Sequence, residues 1–127
     1  MKMKNLIIDA AADKIFFKII ADNESYTSDY PNSSENFDRL VTLLFNFLKK
    51  NKINIKEINN IFVNQGPGKF SGIRTSISAA KALSFTNKLN LYGFDSKLVK
   101  NQNYDEIIDL FNKRLLIKNL IKPQYSS

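Results

Sequence analysis

Apolar positions run along this chain in two rhythms. Leu6-Ile7-Ile8 is continuously apolar and ends at Asp9, as in a central strand covered on both faces. Ile15 to Ile20 reads as a second strand and Glu24 to Tyr30 as a third, with Asp22-Asn23 supplying turn chemistry between them. Short links between three strands predict an antiparallel meander. Pro31-Asn32-Ser33-Ser34 then stops the sheet and offers a helix cap, with Glu35 and Asp38 in the first turn. Phe37, Leu40, Val41, Leu44, Phe45 and Leu48 follow a helical stripe from which Phe47 stands aside, and Lys49, Lys50 and Lys52 close the helix. Ile61 to Asn64 predicts another strand, about Ser71 to Lys88 a second helix, and Leu91 to Phe94 a last short strand. Lys97 to Asn103 is polar, and Tyr104 to Leu120 reads as helical, with Ile107, Ile108, Leu110, Phe111 and Leu115 apolar. This order predicts an α/β domain.

The second helix has two faces. Ile73, Ile77, Ala80 and Leu83 form an apolar face suited to the sheet. Thr75, Ser78, Ala79, Ala82 and Thr86 recur at helical spacing and are all small, which lets another helix come close. That helix is either the Phe37–Leu48 helix of this chain or a partner's.

Between the Ile61–Asn64 strand and this helix lies Asn64-Gln65-Gly66-Pro67-Gly68-Lys69-Phe70-Ser71-Gly72-Ile73-Arg74, with three of the four glycines and one of the three prolines of the protein. Such a loop presents either an anion site or a partner contact, or is simply a tight βα turn. A Walker loop needs a longer spacing before its Gly-Lys-Ser/Thr end. Here Gly68 and Gly72 are separated by three residues, and Lys does not follow Gly72. The dinucleotide pattern fails too, because Pro67 sits between the first two glycines and Gly72 comes one position late.

The 127 residues predict one domain. With neither Cys nor His, disulfides, thiolate or histidine metal sites and Ser-His-Asp or cysteine catalysis are excluded. The start lacks the apolar stretch of a signal peptide, and no run reaches membrane-spanning length, so a cytoplasmic protein without membrane contact is expected. The net charge of +7 is a possible RNA signal. The basic residues are nearly all Lys, beside Arg39, Arg74 and Arg114, and aromatic residues do not interleave with them as a stacking platform requires.

The string NQGPGKFSGIRTSISAAKALSF resembles the G-x-G-P-G-S/T-F-T-G-[LIV]-R signature of the TsaB (YeaZ) family. The LIIDAA start and the SSENFDRLVTLL segment are similar to that family's opening strand and to its first helix start. The resemblance covers residues 1 to about 95. It implies a single N-terminal lobe of the actin/Hsp70/sugar-kinase type, an RNase H-like mixed sheet flanked by helices, followed over 96–127 by a residual C-terminal helix and tail. Lys69 replaces a Ser or Thr, Ala10 stands where a hydroxyl is usual, and Ser33 stands in for a His. Most of the second lobe is missing, while Pro123-Gln124-Tyr125 resembles the family's closing segment, which suggests an internal deletion.

The family is implied to be a noncatalytic partner of TsaD, the enzyme that attaches threonylcarbamoyl to the adenosine next to the anticodon. TsaE joins a larger complex, and tRNA is met only indirectly. No cofactor or metal is implied. Pairing through helices makes Phe37, Leu40, Leu44, Phe45, Phe47, Leu48, Thr75, Ser78, Ala79 and Ala82 the candidate interface. Gly66, Pro67, Gly68, Lys69, Phe70, Gly72 and Arg74 form the loop that sets the second helix, with Arg74 either solvated or binding a partner carboxylate. Asp9 either caps its own turn or orients a metal-bound water. A self-associating or basic RNA-binding module, with a possible homodimer, is the alternative.

Overall fold

Hydrophobic burial on both sides of one sheet organises this chain. The computed structural model describes residues 3–22, 24–99, 103–114 and 117–118. The strands are β1 (Asn5–Asp9), β2 (Lys14–Ile20), β3 (Ser25–Pro31), β4 (Asn60–Asn64), β5 (Asn90–Phe94) and β6 (Ile117–Lys118). The helices are α1 (Ser34–Asp38), α2 (Leu40–Lys50), α3 (Phe70–Asn87) and α4 (Asp105–Asn112). The sheet order is β3-β2-β1-β4-β5-β6. The meander β1–β2–β3 is antiparallel, β4 joins β1 in parallel, β5 joins β4 in parallel, and β6 closes the far edge antiparallel to β5.

Successive residues of a strand point to opposite faces, which explains why the central strands read as unbroken apolar runs. Leu6, Ile8, Ile15, Phe17, Ile19, Ile61 and Val63 face a core shared with α2 and α3. Ile7, Phe16, Phe62 and Phe94 face a second, smaller core with Tyr104 and Ile107. A row of asparagines crosses the start of the parallel strands. Asn60 Nδ2 donates to Asn5 Oδ1 at 2.9 Å and Asn90 Nδ2 to Asn60 Oδ1 at 3.2 Å. Asn5 and Asn60 are register partners, as are Asn60 and Asn90, so the row satisfies buried amides while fixing alignment.

The first helix differs from expectation. Ser33 caps it, its side chain accepting from Asn36 N at 3.2 Å. Helix α1 then ends at Asp38, and Arg39 leaves the helical path with φ −111° and ψ 13° before α2 begins. The buried stripe of α2 is Leu40, Leu43, Leu44, Phe47 and Leu48, while Val41 and Phe45 are exposed. Phe47 therefore belongs to the core, contrary to the sequence reading. Two neighbouring stripes on this helix are apolar, and the one through Leu43 and Phe47 meets the core.

The chain end also differs. A helix over Tyr104–Leu120 was expected; α4 stops at Asn112, and the backbone returns as β6. Leu115 and the Pro123-Gln124-Tyr125 segment lie outside the described residues.

Candidate functional site

The glycine loop is tied to the turn between β1 and β2. Lys69 N donates to the Ala11 carbonyl at 2.9 Å. The Asn32 side-chain amide donates to the carbonyls of Ala10 and Ala12 from the other side. A Cβ placed on Gly68 would lie 2.4 Å from Ala11 O, and one on Gly72 only 1.9 Å from Ala10 O. These two glycines are required by backbone approach, and Gly66 is the one with a left-handed φ, at 104°. Asn64 Oδ1 accepts from Gly66 N at 2.8 Å and from Ser96 Oγ at 2.9 Å, so the loop's start is held as well. The N–H groups of Gly66 and Lys69 thus serve the fold. Lys69 Nζ sits 3.0 Å from Asp13 Oδ1 on the surface, an exposed pair of less than about 1 kcal/mol.

Asp9 is equally committed. Its Oδ1 accepts from Ala11 N at 3.1 Å, which is the turn-capping role, and from Asn64 Nδ2 at 3.0 Å. Its Oδ2 accepts from Tyr104 OH at 2.8 Å. Beside it lies an open recess of about 290 Å³ lined by Asp9, Ala12, Asp13, Lys14, Phe16 and Tyr104. Among the described residues no group of three or more acidic side chains could hold a metal ion. Tyr104 is 2% exposed and its ring stacks on Phe16 with centroids 5.0 Å apart. Burial, then the Asp9 charge and the hydrogen bond to it, push the Tyr104 phenol far above its ordinary value of 10.0. The sequence carried no signal for this contact: the two residues are 95 positions apart.

The structure separates the candidate interface residues. Leu40, Leu44, Phe47 and Leu48 are buried in the chain's own core and cannot face a partner. Phe37 is half-buried against that core. Phe45 is 39% exposed. On α3, Ile73, Ile77, Ala80 and Leu83 lie on the sheet as expected. Ala79 is buried with them, so it is removed from the candidate interface. Thr75 is half-buried, and Ser78 and Ala82 are exposed. Phe70 is 51% exposed, and the exposed Arg74 places its guanidinium carbon 5.9 Å from the centre of the Phe70 ring.

Phe85, which the sequence reading passed over, is 89% exposed. Its signal was its position: it falls three residues after Ala82 and seven after Ser78, on the outer face of α3. No helix among the described residues is long and apolar enough to cross a membrane.

A sequence family described as TsaD: tRNA N6-adenosine threonylcarbamoyltransferase matches residues 32–99. The tRNA threonylcarbamoyladenosine biosynthesis protein TsaB of Buchnera aphidicola subsp. Schizaphis graminum (strain Sg) is 29% identical over 91 residues, or 72% of this chain. The protein of the same name from Buchnera aphidicola subsp. Baizongia pistaciae (strain Bp) is 28% identical over 79 residues, or 62% of this chain. The chain spans 43% and 36% of the lengths of these two relatives. Among solved structures, YeaZ from Pseudomonas aeruginosa superposes with a TM-score of 0.67 at 16% identity, covering 73% of this chain and 44% of that one. At that identity the likeness speaks for the fold.

Proposed function

The chain belongs to the threonylcarbamoyltransferase domain family that matches residues 32–99, in its TsaB (YeaZ) branch, and from that premise we propose that it is a noncatalytic partner subunit of TsaD. In this reading it binds and supports TsaD while TsaD places threonylcarbamoyl on the adenosine next to the anticodon of tRNAs. TsaE would join the larger complex, tRNA would be met through TsaD, and the setting would be cytoplasmic. The observation that carries the reading is Phe85, 89% exposed on the outer face of α3 beside the exposed Ala82 and Ser78. A large apolar side chain so placed on the helix that follows the glycine loop would gain by burial against a partner.

Light scattering coupled to size-exclusion chromatography tests this on the full chain, alone and mixed with TsaD of the same organism. A one-to-one complex is expected. Ala82→Arg should weaken it at least about tenfold while leaving the melting temperature within about 3 °C, since the position is exposed. Absence of any complex with the wild-type chain overturns the reading. The net charge of +7 favours a second reading, a basic RNA-binding module. In that case binding to tRNA would fall steeply with salt and would not need TsaD.

A further inference from the structure

Strand β3 ends the sheet beyond β2, and its outer side has no neighbour among the described strands. Its register with β2 runs from Lys14↔Pro31 to Ile20↔Ser25 without a bulge. Just past the two ends, Ala21 N donates to Glu24 O at 2.9 Å and Asn32 N to Asp13 O at 3.1 Å. Hydrogen-bonded pairs alternate along an antiparallel ladder, so Tyr26, Ser28 and Tyr30 turn their backbone groups to β2. The backbone groups of Ser25, Thr27 and Asp29 therefore point out of the sheet, and these residues are exposed.

One end of this row is closed by the chain itself. Pro31 has no N–H, and its carbonyl accepts from Asn36 Nδ2 at 2.8 Å. The rest has little of what usually guards an edge, which is a bulge, a lysine or a very short strand. Strand β3 is seven residues long and has no lysine. Its one charge, Asp29, lies 3.5 Å from the exposed Lys14.

We infer that the β3 edge takes β3 of a second copy of this chain, antiparallel and centred on Thr27, so that two six-stranded sheets become one. This register pairs Thr27 with its own copy and Ser25 with the copy's Asp29. It uses every open residue of the row, for about six backbone hydrogen bonds. A register centred on Ser28 would bring Ser25 to Pro31, whose N–H is missing and whose carbonyl is taken. One centred on Asp29 would set two carboxylates opposite each other, which is unfavourable. In the Thr27 register no like charges are opposed, because Asp29 faces a serine and Glu24 faces Tyr30, a hydroxyl donor. Helix α3 packs over β1, β4 and β5, so this edge is a surface apart from the outer face of that helix. The net charge of +7 on each copy opposes association, so salt should favour this dimer, the reverse of an ionic contact.

Sedimentation velocity of the full chain from about 10 μM to 0.5 mM tests this, since a single strand pair is a small interface of micromolar to millimolar strength. A dimer should grow with concentration and be at least as strong at about 500 mM salt as at about 50 mM. Thr27→Pro should weaken it at least about tenfold. It removes the central outward N–H, and a proline whose missing N–H faces solvent leaves the ladder to β2 whole. Thr27→Cys gives a readout that does not need proline to be tolerated. The sequence has no cysteine of its own. The paired Cα atoms would lie about 5.5 Å apart, within disulfide reach, so mild oxidation should link most chains of this variant into dimers. Ser25→Cys should stay unlinked, because its copy is displaced by about 13 Å along the strands.

A chain that is monomeric throughout that range, and whose Thr27→Cys variant does not link, overturns the inference. So does equal linking of Thr27→Cys and Ser25→Cys, which denotes random collision. A dimer that Ala82→Arg dissolves and Thr27→Pro spares also overturns it, by placing self-association on α3. Amide exchange at Ser25, Thr27 and Asp29 that slows only when TsaD is added would overturn it too, and would assign the edge to TsaD.

Discussion

Gly72→Ala is expected to destabilise the chain by about 3 kcal/mol, lowering the melting temperature by more than about 10 °C. The added Cβ would stand 1.9 Å from the Ala10 carbonyl oxygen and 3.0 Å from its carbon. Both are backbone atoms, so no side chain can swing aside. Ala10 is held in turn by the Asn32 amide and by its place between β1 and β2, so the strain can be relieved only by moving α3 off the sheet. That movement would open the packing of Ile73 and Ile77, both buried in the main core. Ser71→Ala, one residue away and exposed, is the control and should stay within about 0.5 kcal/mol. A thermal melt followed by circular dichroism decides. A Gly72→Ala protein that melts within about 2 °C of wild type would show that α3 is not pinned at this contact.

Tyr104→Ala should cost about 3 to 5 kcal/mol, as loss of a buried aromatic ring generally does. The ring is stacked on Phe16 and meets Phe94 edge-on at 6.3 Å, and it links α4 to the sheet's second face. Tyr104→Phe isolates the hydroxyl. It leaves the ring in place and removes the donor to Asp9 Oδ2, at a cost of about 1 to 2 kcal/mol. The two variants also differ from wild type in alkali. The phenol is held protonated in the folded chain well above 10.0, whereas in the unfolded chain it ionises near that value. Its contribution is therefore fully present below about pH 10 and is lost as pH rises above it, at about 1.4 kcal/mol per pH unit. The stability difference between wild type and Tyr104→Phe should shrink by about 1 kcal/mol between about pH 10 and 11, measured by urea unfolding. A difference that stays constant across that range would mean the phenol is not buried against Asp9.

Both predictions concern one junction where β1, the glycine loop and the C-terminal segment meet. Asp9 sits at the end of β1 and Asn64 at the end of β4, two adjacent parallel strands. In open α/β sheets the carboxyl ends of such strands are where ligands bind. Here the later segment contributes one hydrogen bond to each, Tyr104 OH to Asp9 Oδ2 and Ser96 Oγ to Asn64 Oδ1, beside the open recess at Asp9.

Much of the fold could be read directly from residues. The apolar run at Leu6-Ile7-Ile8 announced a strand covered on both faces, and the Pro31-Asn32-Ser33-Ser34 segment announced a cap that the Ser33 hydroxyl supplies. The glycine loop announced a backbone close approach, although the distances assign that need to Gly68 and Gly72 and the left-handed φ to Gly66. The candidate interface was legible only in part. On α2 two adjacent stripes are equally apolar, and sequence periodicity has no means of choosing between them. The packed structure buries Leu40, Leu43, Leu44, Phe47 and Leu48 and leaves Val41 and Phe45 exposed. On α3 the small-residue stripe pointed to a close helix contact, yet Ala79 lies on its inner edge, Thr75 is half-buried, and Ser78, Ala82 and Thr86 remain outside.

The sequence by itself determined the order of the strands β1 to β5 and of the helices between them, apart from the break at Arg39, together with the α/β class, the position of the loop and the family to which the chain belongs. These are properties of local runs and short spacings, and local backbone preference and side-chain periodicity are sufficient to specify them. Only the tertiary structure decided which face of each helix is spent on the core, that Tyr104 reaches Asp9 across 95 positions, and that Phe85 is left in solvent. Those outcomes depend on how the layers pack against one another. The packing is set by the whole core at once, and no window of sequence contains it.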